Sequence, residues 1–309
     1  MTSAHLLPEN QSAIVQNADG QLQLLRDAVV PKLSPHTVLV KVAAVALNPY
    51  DYKLPLYFPC PGTTGGSDFV GTIVRIGAQA ARDRPDLSLG DLISGCIYGW
   101  NPETPENSSF AQQAEESPSF NMYLLTQFGR LRSGYSTIAS CSPRSFNLVR
   151  SYGADHIFNY AGPETPSTIR KLTEGTLSLV LDCISDHHSI TVCHRAIGRL
   201  GGRLAVLEVP PEPQPGEKRR KAIKQFFIDG HEIFGFGVPI DSPGYKRLPS
   251  PEKHEFATKK ALEFQTLIDG SRLRAHPVEI IDRGLEQIPS ALKVLKAGVS
   301  GKKLVLHIS

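Results

Sequence analysis

Tyr135-Ser-Thr-Ile-Ala-Ser-Cys-Ser-Pro-Arg-Ser145 is the stretch from which the fold can be read. Ser136 to Cys141 is β-rich and stops at a polar turn. From about Ser145 the apolar residues Phe146, Leu148, Val149 and Tyr152 fall at helical spacing, and Gly153 supplies a C-terminal cap. His156-Ile-Phe-Asn-Tyr160 is the next strand. Strand, turn, helix and strand in this order make one unit of a doubly wound α/β sheet. In such a sheet an acidic side chain in the turn after this strand holds a free adenosine ribose, whereas a basic or neutral turn admits a 2′-phosphate. Ser142-Pro143-Arg144-Ser145 carries no carboxylate. An arginine fork and two hydroxyls suit a phosphate and point to NADPH. The same four residues also make an ordinary capping turn with a solvated arginine.

The rest of the chain is long enough, at 309 residues, for a large core and two domains. Its 40% hydrophobic and 20% charged residues are those of a globular protein, and a net charge of +3 gives no case for nucleic acid. The basic run Lys218-Arg-Arg-Lys221 follows a proline-rich stretch and reads as a solvated loop. No apolar run approaches the roughly 20 residues that span a bilayer, so no membrane association is expected. The five cysteines are odd in number and none has Cys-x-x-Cys spacing, which indicates a reduced chain; a cytoplasmic location is expected.

Upstream of the opening stretch the elements are short, β-rich and punctuated by glycine. Ser12–Gln16 and Gln21–Leu25 flank a turn at Asn17–Gly20, and Thr37–Leu47 is a long strand stopped by Asn48-Pro49. The clustered glycines of Pro59 to Gly77 imply a bend where backbone passes close to something. A mainly β, barrel-like domain is expected up to about residue 113. Downstream, Thr165–Thr173 and His188–Ile197 read as helices, Leu177–Ile184 as a fully buried strand and Gly202–Val209 as another. Residues 210–230 read as loop and Glu232–Val238 as a strand. In 253–269, Phe256, Ala257, Ala261, Phe264 and Leu267 share one helical face. A strand at Val278–Ile281, a helix at Leu285–Lys296 and a strand at Lys303–Ile308 complete the chain.

Several motifs together resemble one family. Ala46-Leu-Asn-Pro-Tyr-Asp-Tyr-Lys53, Gly66-Ser-Asp-Phe-Val-Gly71 running on to Gly77, and Gly90-Asp91 before a strand are similar to the medium-chain dehydrogenase/reductase superfamily. Cys141 to Asn147, Ser151-Tyr-Gly-Ala-Asp155, Leu181-Asp-Cys-Ile184 and the Gly-rich turn Ala196 to Gly202 narrow the resemblance to fungal trans-acting enoyl reductases that serve highly reducing polyketide synthases. The resemblance implies an α/β fold in two parts. A β-rich, GroES-like catalytic domain would take residues 1–113 and 271–309, and a Rossmann-type NADP-binding domain residues 136–270. It implies NADPH as cofactor and a polyketide synthase with an acyl-carrier-bound substrate as partner; a monomer is expected, although the sequence leaves the oligomeric state open.

Residues 114–135 depart from that family. Its members carry there the first Rossmann strand with a glycine-rich phosphate turn, but this chain holds no G-x-G-x-x-G there or elsewhere. Gly198 to Gly202 follows a helix and precedes a strand, the wrong order for a phosphate loop. The Rossmann-type domain therefore lacks its first βα unit, through a faulty gene model or a natural deletion. A non-catalytic remnant is the reading that this absence supports, and a zinc-independent quinone or enone reductase of the same superfamily is the other alternative.

By themselves Tyr50-Asp51-Tyr52-Lys53 also read as a turn with a solvated lysine and half-buried tyrosines; the resemblance implies that all four lie beside the nicotinamide as cofactor-binding residues, with Lys53, Tyr50 and Tyr52 as the catalytic candidates. Lys53 is assigned to the cofactor or the developing enolate, and Tyr50 or Tyr52, with water as alternative, to the proton. The resemblance adds as cofactor contacts Ser142, Pro143, Arg144, Ser145, Tyr160, Leu207, Glu208, Val299 and Ser300. It adds Asp229, Gly230, His231, Glu232 and Ile233 as a substrate-lining segment. Zinc members of the superfamily hold their metal with a Cys at or beside the position of Asn48 and a His in a Gly-His-Glu motif. Here the matching residues are Gly65-Gly66-Ser67-Asp68, with no thiolate or imidazole, so no metal is expected.

Overall fold

Asn10–Gln16 (β1) and Leu22–Val29 (β2) pair antiparallel around a turn in which Gly20 takes a left-handed φ of 78°. The structure is a computed structural model that describes residues 8–116, 134–217, 219–281 and 284–308. The chain divides into two units, Met1–Leu124 with His254–Ser309, and Leu125–Lys253.

In the first unit Val38–Ala46 (β3) is the central strand, buried at six of its nine positions. It pairs antiparallel along its length with Asp68–Ile76 (β4), which pairs in turn with Leu92–Cys96 (β5). Gln113–Glu116 (β6) joins the first half of β3. The helix Pro49–Tyr57 (α1) starts where β3 ends, with Asn48 as N-cap and proline at the first helical position. A single turn of helix, Ala80–Asp83 (α2), follows β4. The close approach implied by the glycine cluster has identified partners. A Cβ on Gly65 would lie 2.1 Å from the buried Trp100 ring, and one on Gly66, whose φ is +94°, 2.2 Å from Phe110.

The second unit contains the strand–turn–helix–strand of the opening stretch: Ile138–Cys141 (β7), a 3-10 turn at Pro143–Ser145, Phe146–Ser151 (α3) and His156–Asn159 (β8), with β7 and β8 parallel. Gly153 has the left-handed φ of 91° that its cap requires. Thr165–Leu172 (α4), Leu179–Asp182 (β9), His187–Ala196 (α5), Gly202–Val206 (β10) and Ile223–Phe227 (β11) follow. The strands β9, β10 and β11 form a separate parallel sheet in the order β11-β10-β9. Among the described residues nothing joins β7 to β9, so the doubly wound sheet is two pieces of two and three strands. One face of the larger piece packs Leu204, Val206 and Ile223 against Ile197.

Four expectations change here. Leu177–Ile184 is not fully buried: Leu179 and Leu181 are 53% and 52% exposed, since among the described residues no further strand or helix covers them. Residues 210–230 are not all loop, since Ile223–Phe227 pairs with β10 despite its polar Lys224 and Gln225. Glu232–Val238 is not a strand. Asp229 caps a 3-10 helix at Gly230–Phe234, and Gly235 breaks the chain at φ 83°. The basic run is not simply solvated: Arg220 donates to the carbonyls of His194, Ile197, Gly198 and Arg199, closing the end of α5, and Arg219 pairs with Glu217.

The chain then enters Pro251–Asp269 (α6), which buries Ala257, Ala261, Phe264 and Leu267 but leaves Phe256 63% exposed. Val278–Ile281 (β12), Ile288–Gly298 (α7) and Lys303–His307 (β13) complete it. The strand β13 pairs with β12 and with the end of β3, so the C-terminal segment is built into the first sheet, in the order β12-β13-β3-β4-β5. Ile288, Leu292, Leu304 and Leu306 share the core of β3 and β4. The expected domain limits, 113 and 270, and the observed division at 124 and 253 differ chiefly by the length of α6.

Candidate functional site

In the first unit α1 carries Tyr50, Asp51, Tyr52 and Lys53. Its first turn is pinned by polar contacts, because an N-terminal turn leaves backbone N–H groups without helical partners. The Asn48 N–H donates to Asp51 Oδ2 at 2.6 Å, and Ser67 Oγ lies 3.4 Å from Asp51 Oδ1. The Trp100 indole donates to the Asp51 carbonyl at 3.2 Å. Asp51 has no solvent exposure, and burial pushes its carboxyl up to about 7. The Asn48 N–H opposes that shift, the neighbouring Asp68 adds to it, and Lys303 and Ser67 oppose it. The Tyr50 hydroxyl donates to the Gly99 carbonyl at 2.7 Å. Tyr52 is half-buried against the unit's apolar core, and Lys53 is half-buried on the next position.

Beside this turn lies a cluster that sequence reasoning did not find. Asn48 Nδ2 donates to Asp68 Oδ2 at 2.9 Å, and the Lys303 ammonium donates to Asn48 Oδ1 and to Asp68 Oδ2, the latter at 3.2 Å. Asn48 and Lys303 stand 255 residues apart, and only the pairing of β13 with β3 brings them together. The available signal was a lysine opening the last strand, which returns to the sheet beside Asn48.

The zinc of some superfamily members does not fit this donor set. Asn48, Ser67 and Asp68 supply one amide, one hydroxyl and one carboxylate, and a cation already lies against two of them. Burial, with the carboxylates of Asp68, Glu116 and Asp51, pushes the nearby Cys96 thiol up, so that it is held protonated rather than as the thiolate a metal requires.

In the second unit Ser142 and Ser145 are half-buried with their hydroxyls 3.4 Å apart, and Pro143 and Arg144 are exposed between them. Tyr160 follows β8 and is 49% exposed. Leu207 and Glu208 follow β10 at the carboxyl end of its sheet. The Leu207 N–H donates to Ser185 Oγ at 3.1 Å, and Glu208 accepts from the Tyr245 hydroxyl. Asp229 is buried and accepts from His231 Nδ1 at 2.7 Å. Burial works against its ionisation, but the His231 contacts, with Arg247 beyond them, outweigh it and hold the carboxyl below its ordinary value. Gly230, His231, Glu232 and Ile233 form the 3-10 turn, tied to Lys253 through Glu232. Val299 caps α7 in the first unit and touches its core, with Ser300 exposed beside it.

Comparison with known proteins agrees with this architecture. The family description "Alcohol dehydrogenase GroES-like domain" matches residues 34–135. A crystal structure of the CurK enoyl reductase superimposes with a TM-score of 0.69 over 97% of this chain and 100% of that one, at 15% identity, which shows the shared fold. A GroES-like domain joined to a doubly wound one defines a medium-chain dehydrogenase/reductase, an oxidoreductase class that works with a nicotinamide dinucleotide. The chain is 31% identical to the trans-enoyl reductase pyiC of Pyricularia grisea, over 98% of this chain and 95% of that protein. It is 33% identical to the trans-enoyl reductase TwmE of Talaromyces wortmannii, over 97% of this chain and 98% of that one. The chain therefore belongs to the trans-enoyl reductase family. The first of these alignments runs over 358 positions against 309 residues here, so at least 49 of its positions have no counterpart in this chain.

Proposed function

We propose that the chain reduces an α,β-unsaturated acyl thioester with NADPH, acting in trans on the carrier-bound intermediate of a highly reducing polyketide synthase, as a cytoplasmic monomer. Family membership supports the enoyl reduction. The carboxylate-free turn Ser142–Ser145 is the observation that supports NADPH over NADH. Its two half-buried hydroxyls and the exposed Arg144 make a donor set for a dianion. Cofactor bound there supplies a hydride to the β-carbon of the thioester.

Charge then accumulates on the thioester oxygen, and a cation near it lowers the barrier. Lys53 takes that role or holds the cofactor. The α-carbon needs a proton. Tyr50, whose hydroxyl donates to Gly99, the half-buried Tyr52 and water are the candidate donors.

A second reading, a remnant that no longer turns over, draws support from the absent phosphate turn and the two-piece sheet. NADPH titration followed by nicotinamide fluorescence separates the two, with NADH as control. Saturable binding that prefers NADPH, and that weakens about ten- to a hundredfold in Arg144→Ala without change for NADH, is expected from the loss of one charge-assisted phosphate contact. A folded chain that binds neither dinucleotide would favour the remnant.

A further inference from the structure

The zinc-type positions of this chain are not merely stripped of ligands; they converge on another residue. The family resemblance puts Asn48 at or beside the metal-binding Cys of zinc members, and Ser67-Asp68 where their His and its acidic neighbour stand. In the fold these positions meet at one point. Asn48 Nδ2 and the Lys303 ammonium both contact Asp68 Oδ2, at 2.9 and 3.2 Å, and the ammonium also contacts Asn48 Oδ1. Ser67 closes the other side through its contact with the buried Asp51. A cation, a carboxylate and an amide therefore replace a metal and its soft ligands.

We propose that the Lys303 ammonium stands in the metal's place and presents its remaining N–H to the thioester oxygen of the substrate. An ammonium has three N–H donors. Two are taken by Asn48 and Asp68, and the side chain is 30% exposed. A zinc ion acts on a reacting oxygen as a Lewis acid. An ammonium does the same work more weakly as a hydrogen-bond donor, which is adequate for an enolate oxygen that forms only transiently. The carboxylate of Asp68 holds the ammonium in place, and its pairing with Asn48 ties the cation to the start of α1, which carries Lys53. The assignment of substrate class rests on the enoyl-reductase reading; the assignment of position does not.

Two sets of measurements on the full chain separate these parts. The first asks whether the ammonium fills the metal position, using Co(II) alone as probe. The double variant Asn48→Cys/Ser67→His keeps Lys303, and a triple variant adds Lys303→Met. The triple variant should take up one Co(II) with thiolate-to-cobalt absorption, and the double variant should bind at least tenfold more weakly. Equal uptake by both, or uptake by neither when circular dichroism shows both folded, would overturn the position. The second set reads turnover of a crotonyl-pantetheine thioester with NADPH. Lys303→Met should lower kcat about a hundredfold with KM within a few-fold, by the cost of removing one oxyanion donor, and Lys303→Arg should restore at least a tenth of the activity. An unchanged kcat in Lys303→Met would overturn the role while wild-type turnover upheld the enoyl-reductase reading. Absence of turnover in wild type would sink that reading and the role together, and the Co(II) result would still decide the position.

Discussion

Asp51→Asn should make this protein less sensitive to alkali. Asp51 is fully buried, and its carboxyl titrates at about 7 in the folded chain against an unfolded value near 3.8. Between those two values the folded state holds a proton that the unfolded state has released, so stability falls as pH rises through the window. For one such site the cost to the folded chain is about 2 kcal/mol at pH 5.5 and about 4 kcal/mol at pH 8, a loss of about 2 kcal/mol across the range. The substituted amide keeps an oxygen for the Asn48 N–H and cannot ionise. Asp68 on β4 and Lys303 on β13 face the same carboxyl and act in opposite senses, so neither replaces its titration. Thermal unfolding at pH 5.5 and pH 8, for wild type and Asp51→Asn, reads the effect. The wild-type midpoint should fall by roughly 5 °C more than that of the variant over the interval. Parallel midpoints in the two proteins would show that Asp51 is ionised throughout, and the argument from burial would be wrong.

Two further substitutions probe the same unit. Gly66→Ala would place a Cβ 2.2 Å from the buried Phe110 ring at a φ of +94°, so strain and overpacking act together; a loss of about 3 kcal/mol is expected in denaturant unfolding, and a neutral result would contradict the close approach. Tyr50→Phe removes the 2.7 Å bond to Gly99 and should cost about 1 kcal/mol of stability while leaving turnover within a few-fold. Lost turnover at an unchanged melting midpoint would instead make Tyr50 the proton donor.

How far the sequence could be read depended on whether a signal was local. The β7–turn–α3–β8 unit was legible because strand, proline turn, apolar spacing and Gly153 lie within about two dozen consecutive residues. The helix α5 was legible for the same reason, with Asp186 and Ser189 capping each other's backbone. The strand β11 was hidden by composition: a proline-rich stretch and a basic run precede it, and Lys224 and Gln225 interrupt its apolar pattern. Only the parallel register with β10 makes it a strand. The aromatic alternation of Glu232–Val238 misled in the other direction, since Asp229 and Gly235 set the backbone there. In the site, the α1 residues were legible from their motif, but the Lys303 partner depended on a strand pairing that no local pattern reports.

The exposed β9 carries the deepest consequence for function. A six-stranded doubly wound sheet places its first strand between the second and the fourth, and the glycine turn that receives a pyrophosphate follows that first strand. In this chain β7 and β8 correspond to the second and third strands, and β9, β10 and β11 to the fourth, fifth and sixth. The gap in the described sheet and the missing glycine motif fall at the same place in that strand order. Parallel strands are normally buried on both faces. Here Leu179, Leu181 and Phe226 stand 53%, 52% and 45% exposed, and the edges of β7 and β9 have no second strand partner among the described residues. Restoring a strand and its turn at this point would cover apolar surface, satisfy two rows of backbone groups and recreate a phosphate cradle in a single step. Stability of the second unit and affinity for dinucleotide should accordingly rise together when the family's strand and glycine turn are grafted between residues 114 and 135. A graft that tightened NADPH binding without raising the unfolding midpoint would separate the two and refute their common origin.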